Sequence, residues 1–293
     1  MNLLAIVLFL AFPGVGPTLA SDGVARSSAV VQHAYIKGET LKYYFEDTDY
    51  SYDSSLEDGV LRARTPRQIA GLRVFLKVRV VDMSSGTARR RVEFGGGAYR
   101  AAEVEKYNET PAVPLSSAIP GFPPDFGYEY DSDGKIVNGT AGFFQPFLSS
   151  EAGAFVYYKT MDIHTFQSII DTISDIQKPG EISVRPAKDI QLGFGVFRNA
   201  ASIRTYDRIE TVEGIRCAVF KVATLGNEFR AEKQAEPLRT DYQLTMFVPL
   251  EGRYRGLLLR GDLQEYVFQK QDTVVLRQLS MTLQTKGTYA EAR

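Results

Sequence analysis

Leu72-Arg73-Val74-Phe75-Leu76-Lys77-Val78-Arg79-Val80-Val81 is the stretch that decides the fold class of this chain. Leu72, Val74, Leu76, Val78 and Val80 occupy every second position, and Arg73, Lys77 and Arg79 lie between them. Successive side chains of a strand point to opposite faces, so this pattern predicts a strand with one apolar face. Ser84-Ser85-Gly86 follows as a turn, Ala88 to Phe94 returns as the hairpin partner, and Gly95-Gly96-Gly97 is expected to end that hairpin.

Beyond residue 107 the character changes. Pro111, Pro114, Pro120, Pro123 and Pro124 cannot feed a central sheet, because proline has no N–H for the ladder. Residues 108–200 therefore read as a crossover between an N-terminal β unit at 35–107 and a C-terminal β unit at 201–289. Within it, Asp131-Ser132-Asp133-Gly134 suits a tight turn between Tyr128–Tyr130 and Ile136–Val137. Residues 162–177 carry Ile163, Phe166, Ile169, Ile170, Ile173 and Ile176, one apolar stripe at helical spacing. Thr160 or Asp162 can cap that helix, and Lys178-Pro179-Gly180 stops it.

The C-terminal unit reads as two hairpins and a closing strand. Tyr206–Val212 turns at Glu213-Gly214 into Ile215–Leu225, and Tyr242–Pro249 turns at Glu251-Gly252 into Tyr254–Leu259. Val274–Thr285 closes the set, with Val275, Leu279, Met281 and Leu283 on one face. Several of these strands exceed the usual five or six residues. The fold class that follows is mainly β: a long-stranded antiparallel sheet, half-barrel-like, with one amphipathic helix, or else two stacked β units.

The amino-terminal end predicts export. Leu3 to Phe12 is an unbroken apolar run, too short for the roughly 20 residues a membrane span needs. Pro13, Gly14, Gly16 and Pro17 break it, and Thr18-Leu19-Ala20 suits signal peptidase. Residues 1–20 thus read as a signal peptide and 21–34 as a flexible lead-in. No later stretch has membrane length, so the expected location is periplasmic or extracellular, without an integral membrane segment. About 270 residues remain after cleavage, enough for one large domain or two small ones. Cys217 is the single cysteine, which excludes an internal disulfide framework. Lys and Arg number 34 against 35 Asp and Glu, so no global field favours nucleic acid.

Two short stretches resemble a known group. Lys37-Gly38-Glu39-Thr40-Leu41-Lys42-Tyr43 resembles the "GE-x-L-x-Y" opening of exported bacterial β-rich proteins of unassigned function. Val212-Glu213-Gly214-Ile215-Arg216-Cys217-Ala218-Val219-Phe220 resembles their later hairpin with a spaced Gly, Cys and Phe. The overall plan is similar to the periplasmic lipoprotein-carrier fold. Neither likeness assigns a site.

Few residues suggest chemistry. His33 and His164 are the two histidines, with no Gly-x-Ser-x-Gly elbow, HExxH or CxxC beside them. Asp162 and His164 are too few for a metal site. Glu46, Asp47, Asp49, Asp53, Glu57 and Asp58 form the densest acidic patch, which reads as a solvated strand edge, with calcium as the alternative. Arg89, Arg90 and Arg91 would alternate faces on a strand and so make no single patch. Cys217, among Ile215, Val219 and Phe220, reads as a small buried hydrophobe. No catalytic residue, metal ligand or cofactor is expected. The reading is a non-enzymatic exported protein that binds a lipid, an acyl chain or a partner protein, with Phe166, Ile169, Ile170 and Ile173 as candidate ligand-facing residues. The alternatives are a secreted hydrolase built on a carboxylate pair and a cell-envelope assembly or adhesion module.

Overall fold

A computed structural model describes residues 33–57, 60–63, 67–84, 87–101, 109–119, 127–131, 136–138, 163, 166, 176–192, 195–199, 201–231, 238–270 and 273–284. The chain is mainly β, and its long strands lie antiparallel in an open sheet. In chain order they are β1 (Thr40–Glu57), β2 (Val60–Ala63), β3 (Arg67–Ser84), β4 (Thr87–Ala101) and β5 (Val113–Pro114), followed by a single-turn helix α1 (Leu115–Ala118). Then come β6 (Gly127–Tyr130), β7 (Ile136–Asn138), β8 (Ile182–Arg185), β9 (Lys188–Leu192) and β10 (Gly195–Asn199). The last five are β11 (Ser202–Val212), β12 (Ile215–Ala231), β13 (Leu238–Pro249), β14 (Arg260–Lys270) and β15 (Thr273–Leu283).

The main path through the sheet runs β7-β6-β4-β3-β1-β15-β14-β13-β12-β10-β9. The first and last long strands, β1 and β15, pair side by side from Tyr43↔Leu283 to Asp53↔Thr273. That pairing joins the strands on either side of the crossover into one sheet, rather than two stacked units. β12 carries β11 along its first part and β10 along its end, so the sheet forks there.

The deciding stretch behaves as its alternation requires. Leu72, Val74, Leu76, Val78 and Val80 are buried on one face of β3, while Arg73, Lys77 and Arg79 are exposed. The expected hairpin forms, with Ser84 opposite Thr87. Gly95-Gly96-Gly97 does not end it, however. The strand continues to Ala101, and Gly95 is the extra residue of a bulge between the pairs Leu76↔Phe94 and Phe75↔Gly96. A bulge reverses the parity of a strand. Val92 and Phe94 face the core before it, and Tyr99 does so after it. Gly97 is required by close approach: a Cβ there would lie 2.6 Å from the Arg73 carbonyl oxygen and 3.0 Å from Leu115 Cδ1.

At the other hairpins, Glu213 and Gly214 take φ of 49° and 79°, the twin positive values of a two-residue turn matched to strand twist. The second C-terminal hairpin differs from expectation. β13 pairs with Arg260–Lys270, not with Tyr254–Leu259. Leu257, Leu258 and Leu259 are buried in succession, which a one-faced strand cannot achieve. This segment instead folds back through Gly256 N–H donating to the Pro249 carbonyl, and it caps one end of the core.

Of the predicted helix, Ile163 and Phe166 are described, helical and fully buried. Ile176 is buried but, like Gln177, no longer helical. The Glu181 carboxylate accepts from the Gln177 and Lys178 amides at 2.7 and 3.0 Å. Those amides therefore turn towards Glu181, away from a helical repeat. Ile169, Ile170 and Ile173 lie outside the described residues.

Candidate binding site on the inner face of the sheet

Strand register places the inner-face side chains in rows. One row runs Val74, Phe45, Met281, Gly261, Met246, Phe220 and Tyr206 across β3, β1, β15, β14, β13, β12 and β11. The ring of Phe166 seats over it. A Cβ on Gly261 would fall 2.6 Å from Phe166 Cε1, and the Phe45 and Phe166 rings meet edge to face with centroids 6.3 Å apart. The glycine thus leaves the hollow that the helix ring fills.

Two residues further along each strand the same face becomes charged. The next row runs Leu72, Asp47, Leu279, Leu263, Leu244 and Val222. The row after it reads Asp49, Arg277, Glu265, Tyr242, Thr224 and Ser202. Arg277 is the hub of this region. Its Nη1 pairs with Glu265, its Nε lies 3.6 Å from Asp49 and its Nη2 lies 3.7 Å from Asp47. Asp47 is wholly buried, while the side chains of Asp49, Glu265 and Arg277 are 12%, 12% and 15% exposed. Burial raises the Tyr242 phenol above its ordinary value, opposed by the Arg204 charge and a hydrogen bond with Thr224, so it stays a neutral hydroxyl. Asn227 donates to Thr224, extending the polar region along β12.

A second buried charge sits at the far corner of the same face. Arg90 lies between two rings, 4.8 Å from the Tyr35 centroid and 4.4 Å from that of Tyr130, and donates to the Tyr35 hydroxyl at 2.6 Å. Burial pushes the neighbouring Tyr43 phenol well above its usual range, and Tyr35 and Tyr130 add to the effect. Tyr35 arrives there on a strap tied down by His33. The His33 Nε2 lies 3.1 Å from the Glu39 carboxylate and its Nδ1 lies 3.0 Å from the Arg255 carbonyl. Of the expected lead-in, only His33 and Ala34 are described.

These placements revise the reading of the acidic segment. From Tyr43 to Ser51, which takes in Glu46, Asp47 and Asp49, β1 is flanked on both sides, by β3 and β15, so it is not a sheet edge there. Glu46 does face outward, where it meets Arg73 at 2.8 Å. Asp47 and Asp49 point elsewhere: Asp47 enters the inner face, and Asp49 follows it two positions on. The carboxylates diverge across the sheet, and among the described residues no group of three His, Cys, Asp or Glu side chains could hold a metal ion. The Arg89-Arg90-Arg91 run does alternate faces. Arg89 and Arg91 meet Glu129 on the outside, and Arg90 turns in. Cys217 is buried, and that burial, with Glu210 adding, pushes its thiol up to about 11. His164, Asp133 and Asp162 lie outside the described residues. On the outer face, Glu46, Thr48, Asp262, Gln264, Gln278 and Ser280 line a shallow depression of about 340 Å³.

No family model matches the chain, and no curated protein does either. Among solved structures, a lipovitellin chain whose structure concerns lipid–protein interactions is 10% identical, with a TM-score of 0.39 over 88% of this chain and 26% of that one. The chain thus spans about a quarter of the length of the lipovitellin chain. A Bacteroides fragilis protein with a YmcC-like fold, provisionally named as exported, is also 10% identical, with a TM-score of 0.24 over 86% of this chain and 96% of that one. At such TM-scores neither likeness bears on function. Among the described residues no helix is long and apolar enough to cross a membrane.

Proposed function

We propose that this chain is an exported, non-enzymatic binding protein whose inner sheet face receives an amphiphile. Its apolar tail takes the place along Phe45, Met281 and Met246 that the Phe166 ring fills in this structure. Its polar head reaches Asp49, Arg277 and Glu265. One observation carries the reading: three adjacent central strands turn from apolar to charged within one row of each other, on the same buried face. A core built only for stability gains nothing from this, since burying an ion pair costs about as much as its attraction returns. An amphiphile has the matching polarity along its length.

The carboxylate hydrolase fits less well. Arg277 occupies the space among Asp47, Asp49 and Glu265, where a two-carboxylate hydrolase holds its scissile bond and water. Native mass spectrometry of protein purified from its own host is the test. A bound amphiphile, displaced by a fluorescent acyl probe that binds saturably, is the expected result. A bare protein mass together with no saturable probe binding would refute the proposal.

A further inference from the structure

We infer that the outer face of the sheet carries a second binding site, for an uncharged, extended oligosaccharide. The site is the shallow depression of about 340 Å³ on β1, β15 and β14. It lies opposite the apolar rows, because Glu46 and Thr48 alternate along β1 with the buried Phe45, Asp47 and Asp49.

The floor of the depression differs from the rest of that face. Strand register sets Thr48, Gln278, Gln264 and Gln243 in one row across β1, β15, β14 and β13. Exposed outer positions elsewhere carry Arg73, Lys77, Arg79 and Arg260, whereas this row carries no charge. The next row is Glu46, Ser280 and Asp262. Both of its carboxylates face a guanidinium, with Arg73 Nε 2.8 Å from Glu46 and Arg260 Nε 2.8 Å from Asp262. The other lining side chains are neutral, which suits an uncharged ligand better than an ion.

Among the described residues, the side chains of Thr48, Gln264, Gln278 and Ser280 make no hydrogen bond or ion pair. Amides and hydroxyls both donate and accept. The hydroxyls of a sugar do the same, so either kind of neighbour satisfies them.

Aromatic rings bound these polar rows at both ends. Tyr44 lies one row before Glu46, with its ring centroid 5.3 Å from that of Phe75. Tyr50 lies one row beyond Thr48, and Tyr266, 38% exposed, lies one row beyond Gln264. From Tyr44 to Tyr50 the strand rises about 20 Å. A sugar ring has an apolar face whose C–H groups settle on the negative face of an aromatic ring, and a polar rim for the amides between. An extended chain of several sugars matches the order of ring, polar rows and ring; a single sugar reaches only part of it.

Isothermal titration of the full mature chain with cellohexaose, xylohexaose and chitohexaose tests this, since these uncharged extended chains differ in their ring substituents. At least one should bind saturably at millimolar concentration or below. Gln264→Ala and Gln278→Ala, made together, should weaken that ligand by at least about tenfold, the loss of a pair of hydrogen bonds, and Tyr266→Ala should weaken it several-fold. All three side chains are exposed, so the variants should melt with the wild type. Binding of the fluorescent acyl probe should not change, which separates this site from the inner face. Saturable binding by none of the three sugars, or an affinity that survives the double substitution, would overturn the assignment and leave the amphiphile reading standing. Hexagalacturonate binding as tightly as the best uncharged chain would overturn it too.

Discussion

Phe166→Ala would excise a ring that is wholly buried, meets Phe45 edge to face and fills the space left by Gly261. Truncation of such a side chain costs about 3–5 kcal/mol, of which the ring–ring contact supplies about 0.5–1.5 kcal/mol. In a domain of this size each kcal/mol moves the midpoint by about 2–4 °C, so the melting temperature should fall by roughly 6–20 °C. The neighbouring glycine makes the test sharper. Gly261→Ala alone drives a methyl to within 2.6 Å of Phe166 Cε1, so it should also destabilise, by about 1–3 kcal/mol of overpacking. In the Phe166→Ala background that clash is gone and the methyl refills part of the hole. The double variant should therefore be more stable than the sum of the two losses by at least about 1 kcal/mol. Calorimetric or circular-dichroism melts of the four proteins measure the cycle. Additive losses, or a Phe166→Ala shift under about 2 °C, would refute the placement of this helix on the sheet.

Three other outcomes follow from the same geometry. Arg277→Gln removes the guanidinium that Asp47, Asp49 and Glu265 share on the inner face and should cost about 3–5 kcal/mol in urea unfolding at neutral pH; a loss under about 1 kcal/mol would mean the cluster is not formed. Burial raises the Cys217 thiol to about 11, so the folded form resists ionisation. Its stabilising effect is present below the ordinary thiol value of about 8.5 and is lost as pH rises from there towards 11, because only the unfolded thiol ionises in that window. Native protein at pH 8 should accordingly react with a disulfide reagent far more slowly than urea-unfolded protein, and equal rates would contradict the burial. The exported protein should begin at Ser21, which amino-terminal sequencing of secreted material checks; retention of Met1 would end the cleaved-signal reading.

Much of the sheet was legible because its signals are local. The alternation in β3, the turn at Glu213-Gly214 and the inward set Val275, Leu279, Met281 and Leu283 of β15 each follow from period-2 patterning or from a turn that needs positive φ. The misreadings have local causes too. Gly95-Gly96-Gly97 has the composition of a chain break, yet it serves as a bulge and as a close approach to the Arg73 carbonyl on β3 and to Leu115, neither of which is near it in the chain. Tyr254–Leu259 has strand-like residues, but three consecutive leucines are a plug and not a ladder.

The charged cluster was within reach of the same reasoning and was missed by a different one. Tyr43, Phe45, Asp47 and Asp49 share one parity on β1, as do Leu283, Met281, Leu279 and Arg277 on β15, and Leu263 and Glu265 on β14. In each strand the charge is in phase with the apolar residues, whereas a solvated charge falls out of phase, as Arg73, Lys77 and Arg79 do on β3. Acidic density suggested an edge because edges are where charge is cheap. What makes β1 central is its pairing with β15, more than two hundred residues away in the chain, and no local pattern encodes that contact. Phase, then, is the stronger signal than density: a charge in register with the core is either paired across strands or reserved for a ligand. Here the three in-phase carboxylates meet Arg277, itself in phase with the core on β15.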